Sequence, residues 1–213
     1  AGLLYPETKE PFEKILAKVR SLSLKEKERI LAQVLAERKY RWYKVPRAFE
    51  NVYLRFEILL NIGAWRDLQR HRMQTQYAQK FNLDQGFDIP SELKEVGLEE
   101  KFVQAIEKLE ALYQKIKDPN LAQYAVSFAH RIRFIQYQNL RQFFWETELR
   151  TTPQGHPDYR LIEQEKVKLV QKIYPLIAKY LLVDFQTYEF ARRESIKKIE
   201  AKKEELEELI GRN

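Results

Sequence analysis

Three short segments of the chain concentrate side chains able to hold an anion. Residues 66–72 read Arg-Asp-Leu-Gln-Arg-His-Arg, which places four potential cations, Arg66, Arg70, His71 and Arg72, in seven positions. Such density is costly unless something anionic neutralises it, and paired guanidinium groups grip a phosphate strongly and with direction. Asn139, Arg141, Glu148 and Arg150 form a second group, in which Arg141 and Glu148 are seven residues apart and so share a helix face. The third is the run Gln154, Gly155, His156, followed by Tyr159 and Arg160. It can clamp a ligand or simply turn the chain. The plain structural alternatives for the first two are a solvated basic face and an ion-paired helix.

Other chemistry is excluded by composition. The chain has no cysteine, so a thiol nucleophile, a thiolate metal site and a disulfide framework are all ruled out. The three histidines, His71, His130 and His156, are too scattered for a helical zinc pair, and no metal is expected. Lys and Arg number 38 against 31 Asp and Glu, a net charge of +7 that favours anionic partners without choosing among them.

The elements that must position these groups are mostly helical in pattern. Residues 12–39 show helical apolar spacing in two segments, with Ser23 and Glu26 forming a capping box between them. Residues 52–58 (VYLRFEI) are the best strand candidate. A helix is predicted over 64–79, a loop over 82–90, and an amphipathic helix over 99–117 closed by Asp118-Pro119-Asn120. The span 121–149, free of Gly and Pro, predicts one long helix. A loop at 151–157 separates it from a helix over 158–174, and charge blocks over 192–211 predict a C-terminal charged helix within 186–213.

At 213 residues, against roughly 150 for an average domain, the chain is expected to form one domain over 1–213. Its fold class is expected to be α+β, mostly helical, with long helices packed around a small sheet. No run of about 18 apolar residues is present, and no leader pattern opens the sequence, which predicts a soluble, cytoplasmic chain without a membrane partner.

The ordered segments AFENVYLRFEILLNIGAWRDLQRHRMQTQYAQKFN and QNLRQFFWETELR resemble the flavin-dependent thymidylate synthases, also called thymidylate synthase complementing proteins. That family has a strand, a short helix with the signature R-H-R-x-x-S-x-N-E-x-S-x-R, and later a helix with N-x-R and Leu-Arg. The resemblance is strongest over 46–185. It implies a homotetramer with shared sites, FAD as cofactor, and NADPH and methylene-tetrahydrofolate as co-substrates in converting dUMP to dTMP. It implies that Arg70, His71, Arg72, Asn139, Arg141 and His156 contact the cofactor and that Arg150, Arg70 and Thr75 contact the nucleotide, the spacing to His156 being shifted. A relayed methylene needs no covalent nucleophile, which suits a cysteine-free chain.

The chain departs from the signature at several positions. Thr75 stands for the first Ser, Tyr77 and Ala78 for Asn-Glu, Lys80 for the second Ser and Asn82 for the last Arg, while Gln123 stands where another nucleotide-binding arginine is usual. Three functions follow as alternatives: an enzyme of this class with slow turnover, a degenerate relative kept as a structural or nucleotide- and flavin-binding module of a larger assembly, and a basic helical nucleic-acid binder. Trp65, Tyr77, Tyr137 and Trp145 near basic residues favour the last. Carboxylates interleaved with the bases argue against it.

Overall fold

A computed structural model describes residues 1–188, 199–204 and 207. In chain order the elements are α1 (Phe12–Ser21), α2 (Leu24–Leu35), β1 (Tyr53–Asn61), α3 (Ile62–Leu68), β2 (Thr75–Ala78), α4 (Ser91–Glu95), α5 (Glu99–Lys115), α6 (Pro119–Ala122), β3 (Arg131–Asn139), α7 (Leu140–Arg150), α8 (Pro157–Ile173) and α9 (Pro175–Ala178). The three strands form one sheet in the order β1-β3-β2. The fold is therefore α+β, mostly helical with one small sheet. Most of the expected C-terminal charged helix lies outside the described residues; within it, residues 199–204 and 207 are helical. Among the described residues no helix is long and apolar enough to cross a membrane.

The chain divides into two compact units, the first made of Ala1–Val52 and Asn139–Asn213 and the second of Tyr53–Gln138. In the first unit α7 packs on α8 and on the short 3-10 turn Arg47–Asn51, and α9 packs on α8 and α2. Phe49 meets Phe144 edge-on at 5.7 Å, and Phe143, Val167 and Val170 are almost wholly buried. Helix α2 starts on the expected capping box: Glu26 N donates to Ser23 Oγ while Ser23 N donates to Glu26 Oε2 at 2.8 Å.

In the second unit, Thr75 to Ala78 pair antiparallel with Tyr137 to Phe134. This corrects two expectations. The span 64–79 is not one helix, because α3 stops at Leu68 and the chain returns as β2. The span 121–149 is not one helix either, since its middle is β3, where burial alternates residue by residue. Inner residues Ile132, Phe134, Gln136 and Gln138 are buried, and outer residues Arg131, Arg133, Ile135 and Tyr137 are not. Pairing across the sheet satisfies backbone groups that a helix would satisfy locally, and here the long-range choice prevails over local propensity.

Candidate functional site

In the second unit the basic triplet is placed by the end of α3. Asn61 starts this helix: its Oδ1 accepts from Ala64 N at 2.8 Å, while its Nδ2 donates to Asp88 Oδ2 at 3.1 Å. At the other end, Leu68 O accepts from His71 N at 3.1 Å and from Gln76 Nε2 at 3.2 Å. A single carbonyl thus ties the triplet to β2. His71 is buried, whereas Arg70 and Arg72 are exposed, Arg70 standing 3.8 Å from Asp67. Thr75, exposed, opens β2 on the outer face opposite Tyr137. On that face Tyr53 stacks on Tyr137 at 5.0 Å.

In the first unit Asn139 is the N-cap of α7, its Oδ1 accepting from Gln142 N at 2.8 Å. Arg141 is held by Val45 O, which accepts from its Nε at 3.0 Å, and by Glu50 Oε1, 2.8 Å from its Nη1. Glu50 also accepts from Arg47. Hydrogen bonding from Arg47, joined by Arg141, keeps the Glu50 carboxyl below its ordinary range. Nine residues along α7, Arg150 lies over the Tyr159 ring at 5.3 Å. Nine residues are two and a half turns, so Arg141 and Arg150 face opposite sides about 14 Å apart along the axis. One chain's α7 does not bring both to a single phosphate.

His156 sits near Arg150, because both pack against Tyr159; the His156 ring is 6.2 Å from it. His156 is also the N-cap of α8, its Nδ1 accepting from Asp158 N at 3.3 Å. The tight reversal before it depends on Gly155, where a Cβ would stand 2.9 Å from Arg150 O and from Arg160 Cγ. Arg160, buried, donates from Nε to Thr151 O at 3.0 Å and closes the same loop.

Sequence reasoning missed the buried charges behind these groups. Arg38 meets Glu148 through both terminal nitrogens, with Nη1 to Oε1 at 2.8 Å, and Leu182 N donates to the same oxygen at 3.0 Å. Glu148 therefore serves Arg38, not Arg141. Lys166 donates to Glu163 at 2.9 Å and to Glu146 at 3.2 Å, and all three side chains are buried. Burial, reinforced by Glu146, pushes the Glu163 carboxyl up to about 8 against the pull of Lys166 and Arg150. Burial opposes the Lys166 ammonium too, yet the two carboxylates hold it above its ordinary range. The signal available in the sequence was the stripe Glu163, Lys166, Val167, Val170, which shares one helical face with apolar residues.

No group of three or more His, Asp or Glu among the described residues is arranged to hold a metal. In the second unit the exposed guanidinium groups that follow α3 suit an anionic group such as a phosphate, and in the first unit so does the braced, part-exposed Arg141. Residues 2–176 match the family model described as thymidylate synthase complementing protein. The chain belongs to that family. Similar relatives in it are UPF0159 proteins: one from Chlamydia pneumoniae, 33% identical over 195 residues, one from Chlamydia muridarum, 34% identical over 195, and one from Thermoplasma acidophilum, 34% identical over 197. Each alignment covers 90% of this chain but only 37%, 37% and 39% of the relative. The chain thus spans less than two fifths of the relatives it matches.

Family membership makes the departures from the signature informative. Lys80, where the signature has Ser, donates to Asn120 Oδ1 at 2.9 Å. Gln123, where an arginine is usual, accepts from Phe81 N at 3.0 Å. Both side chains tie the segment after β2 to α6 and the 3-10 turn that follows it.

Proposed function

We propose that this chain carries thymidylate synthase chemistry of the flavin-dependent type, methylating dUMP to dTMP with methylene-tetrahydrofolate, NADPH and FAD. The observation that carries this reading is the family match over 2–176 in a cysteine-free chain, which has no thiol with which to attack a pyrimidine. Flavin, when bound, supplies the redox step by which the transferred carbon ends as a methyl group. The chain's own part is charge and orientation. The groups assigned to the cofactor are Arg70, His71 and Arg72, which follow α3 in the second unit, and Asn139, Arg141 and His156 of the first. Arg150, with Thr75, takes the nucleotide. Because Arg141 and Arg150 face opposite sides of α7, cofactor and nucleotide phosphates are gripped separately, which fits sites shared between subunits of a homotetramer in the cytoplasm.

A second reading is favoured by Lys80 and Gln123, which brace the fold where the family grips nucleotide. In it this chain is a degenerate module of a larger assembly. Two measurements decide. Under the first reading the purified protein absorbs near the flavin bands or takes up FAD, and Arg141→Ala weakens that uptake about tenfold or more, as expected for loss of a charge-assisted hydrogen bond. Turnover of dUMP with all co-substrates, even slow, keeps the first reading. Flavin uptake without any turnover assigns the module, and absence of both flavin and dUMP binding removes the enzymatic reading altogether.

A further inference from the structure

Residues 38–47, between α2 and the turn Arg47–Asn51, read Arg-Lys-Tyr-Arg-Trp-Tyr-Lys-Val-Pro-Arg, with five cations and no carboxylate. Tyr40, Trp42 and Tyr43 are 48%, 59% and 47% exposed. Leaving three large rings at the surface forgoes the burial that usually stabilises aromatic residues.

The rings are held in place from within the same unit. Tyr43 N donates to Tyr40 O at 3.0 Å, closing a turn. Beneath it Arg38, its side chain 5% exposed and anchored on Glu148, donates through Nε to Tyr43 O. Tyr40 and Trp42 stack at 4.7 Å with planes 4° apart, and Tyr43 meets Tyr40 edge-on at 5.5 Å. Lys39 and Lys44 flank the stack, exposed, and Arg41 reaches over the ring of Trp145 at 5.9 Å.

We propose that this turn is a binding platform for single-stranded nucleic acid, in which unpaired bases continue the Tyr40–Trp42 stack and Lys39, Arg41 and Lys44 meet the phosphates. Flat rings fixed nearly parallel extend a column of bases at little ordering cost, and base–aromatic stacking is tolerant of sequence. Cations without carboxylates among them select a polyanion. An anionic lipid surface would also draw these cations and interfacial rings; the parallel Tyr40–Trp42 stack is what favours bases.

The test is fluorescence anisotropy of a labelled ten-residue oligothymidylate titrated with the full chain. The expected dissociation constant at low salt is on the order of 10 µM, weakening with salt at a log–log slope of about −2 for three neutralised phosphates. Trp42→Ala should weaken binding about tenfold and Trp42→Phe far less, the magnitude of one lost base stack. Lys39→Gln with Lys44→Gln should flatten the salt slope while leaving the oligonucleotide able to quench Trp42. Equal affinity for a duplex, equal binding by Trp42→Ala, or binding only to vesicles containing phosphatidylserine would each overturn the proposal. So would sedimentation showing that the patch joins copies of the chain and leaves the oligonucleotide unbound.

Discussion

In the first unit charge is buried among helices and matched, whereas in the second it stands at the surface and much of the buried polarity is uncharged amide. Arg38–Glu148 and Lys166 with Glu146 and Glu163 have side chains at most 5% exposed. Arg131–Asp88 and Arg133–Glu57 are 36–56% exposed. The inner face of β3 carries Gln136 and Gln138, and among the described residues neither amide atom of Gln138 has a hydrogen-bond partner. A buried ion must be matched or it is ruinous, while a surface ion is loosely held and screened. The contrast places rigidity in α7 and α8 and leaves the arginines after α3 able to meet a ligand.

The largest effect expected from breaking this contrast is at Lys166. Lys166→Ala leaves the buried Glu146 and Glu163 without their cation in the core of the first unit and should cost about 3–5 kcal/mol in urea unfolding. A loss under about 1 kcal/mol would mean the trio is hydrated. Next comes pH. Glu163 binds its proton more tightly when folded, with a folded value of about 8 against an ordinary unfolded value of about 4.3. Between those limits the folded state holds more protons, so this group makes stability fall as pH rises through the window and level off above 8. Glu163→Gln should flatten that slope; an unchanged slope would assign it to other groups.

Smaller effects are expected in the second unit. Gln138→Leu removes an unpartnered amide from the inner face of β3 and should leave stability unchanged or raise it by about 1 kcal/mol. A clear loss would reveal a hydrogen bond made through ordered water. Smallest is Arg133→Ala, expected to change stability by about 0.5 kcal/mol or less, since its partner Glu57 is also solvent-exposed.

What could be read from sequence followed the same division. Ser23 with Glu26, the stripe of α5 and the strand beginning near residue 53 all announced themselves locally. β3 did not, although burial along RIRFIQYQN alternates residue by residue: its inner face includes glutamines and its outer face Ile135 and Tyr137, so hydrophobic contrast between faces is weak. β2 has four residues and depends on a partner more than fifty positions away. At the candidate site the Arg70 to Arg72 triplet and the Asn139, Arg141 pair were legible because neighbours in sequence are neighbours in space. Glu146 and Lys166 were not, being twenty residues apart and of a type that usually points to water.

The sheet order β1-β3-β2 has a consequence for synthesis. The central strand is the last of the three to leave the ribosome, so β1 and β2 emerge with no partner, and β1 waits through some seventy further residues. At ribosomal speeds of roughly 5–20 residues per second that is several seconds during which Leu54, Ile58 and Leu60 lack their partner strand. A nascent chain paused before residue 131 is therefore the species on which a chaperone would act, and the stage at which aggregation during expression would begin.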